Sequence, residues 1–144
     1  MIRSFLSLWF LPVAALWAQS ASYTLTVTAE GFHSDTGRAV VMLYDRPGTI
    51  PDKELKNYRL KKVVPIRHGT IRVRFRHLKP GRYAVSLFHD ENANGIIDKG
   101  LMLPKEGVGL SNFRHVSLFH LPDFKQASLL LDQDKTVDIH LIYF

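Results

Sequence analysis

The sequence predicts an all-β fold, a single antiparallel β-sandwich of about seven short strands, immunoglobulin-like in outline. Three observations carry this expectation. Past residue 22 the apolar residues recur with period two, as in Tyr23-Thr24-Leu25-Thr26-Val27-Thr28-Ala29, the pattern of a strand buried on one face. Turn-forming clusters such as Ser34-Asp35-Thr36-Gly37, His68-Gly69 and Lys79-Pro80-Gly81 separate the apolar runs. No long amphipathic helix interrupts them, so helices are not expected to supply a layer.

The elements follow in order. The first strand covers 23–29, and the Ser34–Gly37 turn leads to a β-branched run at 38–44, RAVVMLY, expected to lie beside it. Residues 45–52 carry Pro47, Gly48 and Pro51 and read as loop, and 53–58 could hold one helical turn. Strands resume at 60–66 and at 70–75. In the second of these, Ile71, Val73 and Phe75 face one way while Arg72, Arg74 and Arg76 face the other. A strand at 82–88 precedes a long Asn-, Gly- and Pro-rich loop from 90 to 122. Strands at 127–131 and 136–143 close the chain. The expected core is Leu25, Val27, Val40, Met42, Tyr44, Ile71, Val73, Phe75, Tyr83, Val85, Leu87, Leu129, Leu131, Ile139 and Leu141. A register slip would invert a whole strand's set at once.

The first residues belong to another class. A basic start at Arg3 is followed by an apolar run over 5–17 and by Ala18-Gln19-Ser20-Ala21, the layout of a secretory signal peptide. The run is shorter than the ~20 residues of a spanning helix. Residues 1–18 are therefore expected to be removed, with cleavage after Ala18 or after Ser20, and 22–144 to form the domain. This places the protein in the periplasm or outside the cell, with no membrane span after cleavage.

With 144 residues, 46% of them hydrophobic, the chain suits one globular domain rather than two or a disordered segment. Zero cysteines exclude disulfides, thiol catalysis and zinc–thiolate sites, so an exported domain must rest on its core. The net charge of +6 gathers partly on Arg72, Arg74 and Arg76, with Arg38, Arg59, Lys61, Lys62 and Arg67 on nearby segments. Such a stripe suits a polyanion, but a solvated sheet face whose cations guard strand edges is the preferred reading. Interleaved aromatics for base stacking are not evident, and nucleic acid is not an expected partner.

The motif with the most chemistry is Asp90-Glu91-Asn92-Ala93-Asn94-Gly95-Ile96-Ile97-Asp98. Oxygen-bearing side chains fall at positions 1, 3, 5 and 9, with glycine at 6, as in the first nine residues of an EF-hand-type calcium loop. Calcium takes six to eight hard oxygen ligands, and alternate side chains on a curled backbone converge on one point. The expected ligands are Asp90, Asn92, Asn94, the carbonyl of Ile96, and Asp98. Position 12, normally a bidentate glutamate, is Leu101, so Glu106 is the nearest donor to complete a weak site. The competing reading is an Asx-rich turn that caps its own backbone.

The segment Leu78-Lys79-Pro80-Gly81-Arg82-Tyr83-Ala84-Val85, then Phe88-His89-Asp90 through Asp98, then Pro104-Lys105-Glu106-Gly107-Val108-Gly109 and Ser111-Asn112 resembles a bacterial exported family, domain of unknown function 2141. The likeness runs over roughly residues 23–144 and includes the run at 37–45 and Pro122, Phe124 and Ala127. It departs at Leu110, where family members tend to carry an aromatic, and at Leu103. The resemblance implies a prealbumin-like or Cna-B-like sandwich, some relatives of which bind calcium through comparable loops. It implies no activity.

Catalytic patterns are weak. Ser111, His89 and Asp90 could be drawn as a hydrolytic triad using the 89–120 loop, and His115 and His120 lie nearby, but no H-E-x-x-H, G-x-S-x-G or phosphate loop is present. The terminal Phe144 after an alternating stretch resembles the last strand of an outer-membrane barrel, yet several strands are shorter than the ~9–11 residues such barrels need. The expectation is a monomeric, non-catalytic binding or structural module of the bacterial envelope. Its partner would be an envelope protein or glycan.

Overall fold

In the computed structural model, which describes residues 20–100, 104–115 and 120–144, nearly all regular structure is strand. The expected export signal at 1–18 lies outside the described residues. Among the described residues eight strands form: β1 (Tyr23–Glu30), β2 (Arg38–Tyr44), β3 (Leu60–Val64), β4 (Thr70–Leu78), β5 (Gly81–Asp90), β6 (Val108–Leu110), β7 (Leu129–Leu131) and β8 (Lys135–His140). One short helix, α1 (Phe124–Ala127), precedes β7. Asp123 caps it by accepting the Gln126 N–H, and the Gln126 side chain returns the bond to the Asp123 N–H, a D-x-x-Q capping box.

The strands form two open sheets, ordered β4-β1-β8 and β3-β2-β5-β6, with β7 paired to the start of β5. Three sequence expectations change here. β1 and β2 are not neighbours: Gly31 and Gly37, both at positive φ, bracket a connection that carries the chain from one sheet to the other. β8 runs parallel to β1, which the long intervening chain permits. The 127–131 strand is instead the end of α1 followed by the three residues of β7. The described strands leave β3 and β4 as outer strands, so they do not close into a barrel. No helix among the described residues is long and apolar enough to cross a membrane.

Alternation builds the core between the sheets. Leu25, Val27 and Ala29 of β1, Ile71, Val73 and Phe75 of β4, and Val137 and Ile139 of β8 meet Ala39, Val41 and Leu43 of β2 and Tyr83, Val85 and Leu87 of β5. For β2 this is the opposite face from the expected one. Val40, Met42 and Tyr44 point outward, away from the first sheet, into a second apolar cluster with Ala84, Phe88, Leu110, Phe124 and Ala127. The cause is legible in hindsight: RAVVMLY has no polar alternation, because both faces of β2 are buried. The long loops roof that outer face.

Candidate functional site

The 90–98 loop begins where β5 ends. Asp90 is fully buried and its carboxylate is shared three ways. Oδ1 accepts the Asn94 N–H at 3.0 Å, while Oδ2 accepts the Gly95 N–H at 2.9 Å and the Arg38 Nε–H at 2.9 Å. The Arg38 guanidinium also donates to the Ala93 carbonyl at 2.9 Å, so β2 pins the loop from below. Gly95 and Ala93 take positive φ in this curl.

Further along, Asn92 accepts the Asn94 N–H at 3.1 Å and Asn94 accepts the Ile96 N–H at 3.0 Å, two successive Asx turns. The amides of Asn92 and Asn94 both donate to the Asp98 carboxylate. Glu106 is buried, and its two oxygens accept the N–H groups of Glu91 at 3.1 Å and Asp98 at 3.0 Å. Burial first, and then the carboxylates of Asp98 and Asp90, push its pKa up against the pull of those two N–H donors. The structure thus brings Asp90, Asn92, Asn94, Asp98 and Glu106 into one hydrogen-bonded unit. Ile96 contributes an exposed side chain at the rim.

The neighbouring motif residues serve as its frame. His89 is fully buried, with Nε2 2.7 Å from the Thr36 carbonyl and Nδ1 2.7 Å from the Tyr143 hydroxyl. A carbonyl only accepts, so in the uncharged ring Nε2 carries the proton and Nδ1 accepts from Tyr143. The Tyr143 oxygen in turn accepts the His33 N–H at 3.1 Å. A Cβ on Gly107 would lie 2.4 Å from the Tyr143 ring, and one on Gly109 2.6 Å from Ile139. Ser111, fully buried, accepts the Val85 N–H at 2.9 Å and donates to the Ala127 carbonyl at 2.6 Å. The Asn112 amide donates to the carbonyls of Ala127 and Ser128. The hydrogen bonds of Ser111 and His89 therefore run to backbone and Tyr143, not to each other.

The loop also walls a groove that sequence reading missed. Over the outer face of β2 and β5 lies a cavity of about 640 Å³, floored by Met42, Tyr44, Phe88 and Leu110 and rimmed by Ile50, Leu55 and Ile97. At one end the Tyr44 hydroxyl donates to Asp52 Oδ2 at 3.2 Å and receives the Ser86 hydroxyl at 3.4 Å. Burial pushes the Tyr44 phenol well above its ordinary range. The signal that could have found this floor is the unbroken apolar run of β2.

A family model described as an uncharacterized protein conserved in bacteria, domain of unknown function 2141, matches residues 27–140. The chain belongs to this family. The match takes in β1 from Val27, every later strand and the whole 90–98 loop, and it agrees with the resemblance carried by the motif segments. No curated protein and no solved structure matches the chain. In this family member, the residues of the Pro104–Asn112 segment that carried the resemblance have structural tasks: Glu106 ties the loop, Gly107 and Gly109 admit their neighbours, and Ser111 and Asn112 hold α1 to β5.

Proposed function

We propose that the protein is an exported, non-catalytic binding module of the bacterial envelope, a prealbumin-like sandwich that takes an apolar small molecule in the groove over β2 and β5. The observation behind this reading is the groove itself: an apolar floor with one polar end at Tyr44, Ser86 and Asp52, the composition typical of small-ligand sites. Palmitate and 1-anilinonaphthalene-8-sulfonate serve as probes. The purified protein should enhance the dye's fluorescence, palmitate should displace it, and a Leu55→Asp/Ile97→Asp variant should bind about tenfold more weakly with an unchanged melting curve. Equal binding by that variant would refute the groove.

The 90–98 loop is read as a wall that keeps its shape without an ion and binds calcium weakly. Asn92, Asn94 and Asp98 would hold the ion with the Ile96 carbonyl. Asp90 would contribute little, because Arg38 already supplies its counter-charge, and Glu106 already serves two N–H groups. Calorimetry on chelator-treated protein should give a dissociation constant of about 0.1–1 mM, the range of weak extracellular modules. Micromolar affinity would show that the ion, not Arg38, organises the loop.

A further inference from the structure

The outer face of the first sheet is not used by any of this chemistry. Its edge strand β4 presents Arg72, Arg74 and Arg76 to solvent in alternation with the buried Ile71, Val73 and Phe75. Successive guanidinium stems are therefore about 6.8 Å apart along one line. Beside them stand Lys62 on the exposed edge strand β3 and Arg67 in the turn before β4, whereas Lys61 pairs with Met42 and turns to the other side, over Tyr58. Among the described residues, no carboxylate lies within ion-pair distance of Arg72, Arg74, Arg76, Lys62 or Arg67. The carboxylates of the same face stand toward β8, on the far side of β1 or at its ends: Glu30 faces His140, Asp134 accepts the Thr24 N–H, and Asp138 accepts the Thr28 hydroxyl.

Shape adds to charge. A depression of about 590 Å³ runs between β3 and β4 with Lys62, Arg72, Arg74 and Arg76 in its walls. On the other side of the same arginines, a second of about 370 Å³ is lined by Thr24, Thr26, Thr136 and Lys135 as well as Arg74 and Arg76, with Asp134 at the end where it accepts the Thr24 N–H. Thr26 sits opposite both Arg74 and Thr136 in the ladder, so the arginines border a floor of hydroxyls.

We propose that this ridge binds an acidic polysaccharide, laid along β4 with its carboxylate or sulfate groups on Arg72, Arg74 and Arg76 and its hydroxyls on the threonines. Guanidinium pairs bidentately with such planar anions. A thread-like polyanion fits troughs flanking a line of charge better than a flat bilayer does. Among the described residues, the one aromatic lining either trough, Phe75, is buried in the core and gives a nucleobase no platform. Edge protection explains part of the pattern, since Lys62 Nζ donates to the free Arg74 carbonyl at 2.6 Å, but not the outward row of arginines.

The test uses the purified domain with polygalacturonate, heparin, neutral dextran, phosphatidylglycerol vesicles and single-stranded DNA, measured by affinity electrophoresis and calorimetry. Polygalacturonate or heparin should bind, dextran should not, and Arg72→Gln/Arg74→Gln/Arg76→Gln should weaken binding about tenfold or more. A Lys53→Gln/Lys56→Gln/Lys125→Gln control, which removes the same charge elsewhere, should bind within about twofold of the parent. Equal loss in the control would reduce the effect to net charge and overturn the site. So would tighter binding to vesicles or DNA than to the acidic glycans, or no glycan binding at all. If the arginine variant instead self-associates in sedimentation while binding glycan as before, the ridge is only an edge guard. Palmitate binding in the groove is read separately, so loss of one site leaves the other standing.

Discussion

The two faces of the β2–β5 sheet are buried by different means. Toward the first sheet, the face meets a partner made of alternating aliphatic residues, and burial there is almost wholly apolar. Away from it, the face is roofed by loops, which must satisfy their own backbone groups wherever water is excluded. They do so with buried polar side chains: Asp90, Glu106 and Ser111 lie on that side or at its margin, while His89, paired with Ala39 and edge-on to Phe32, closes the end of the inner face. Among the described residues, every buried side-chain nitrogen and oxygen finds a partner. The inner face teaches how the chain folds. The outer face, where specific bonds fix the loops around a smaller apolar cluster, can leave a groove open without collapsing.

The largest expected effect comes from breaking the frame of the outer face at its tightest point. A Cβ on Gly37 would meet the Asp90 carbonyl oxygen at 2.2 Å, at φ +74°. Gly37→Ala should therefore cost about 3 kcal/mol or more, combining left-handed strain with a clash against backbone. Urea unfolding measures this, and a change under 1 kcal/mol would mean that the 90–98 loop is not packed on β2 as described.

Next is Tyr143→Phe. It keeps the ring against Gly107 and removes only the hydroxyl that serves the buried His89 Nδ1 and the His33 N–H. An unmade bond at a buried acceptor should cost about 1–3 kcal/mol. If stability is unchanged, the His89 network is not structural. Hydrogen exchange on the variant should rise at residues 89–98 while β1 and β4 stay protected.

The smallest effect is a pH dependence. The pKa of Glu106 is raised in the folded protein, mainly by burial, so the folded state holds its proton more tightly than the unfolded chain does. The unfolded state then binds fewer protons, and stability should fall as pH rises from the ordinary carboxylate value of about 4.5 through the folded pKa. Below that ordinary value the contribution is fully present. Subtracting the profile of Glu106→Gln from that of the parent isolates this slope, and a difference that rises with pH would contradict the assignment.

The inner face was largely legible in the sequence. Thr24-Leu25-Thr26-Val27-Thr28 and Ile71-Arg72-Val73-Arg74-Phe75 write period two plainly, and each strand lies where the alternation puts it. The outer face was legible only in fragments. The D-x-N-x-N-G turn was visible as a curled, oxygen-rich loop, but Arg38, 52 residues earlier, could not be read as the partner of Asp90 because that pairing depends on the β2–β5 register. β2 was assigned the wrong inner set because a doubly buried strand has no alternation to orient it. β6 and β7, three residues each, are too short for any period to show. Tyr44 and Ser86, at the polar end of the groove, meet across two paired strands and carry no local motif.

The claim that the outer face is the ligand-binding side is tested most directly by backbone amide NMR during a palmitate titration. The account predicts saturable shifts clustered at Met42, Tyr44, Ser86, Phe88 and Leu110, with β1, β4 and β8 unmoved. Shifts confined to the arginine edge of β4, spread evenly over the surface, or absent at saturating palmitate would contradict it.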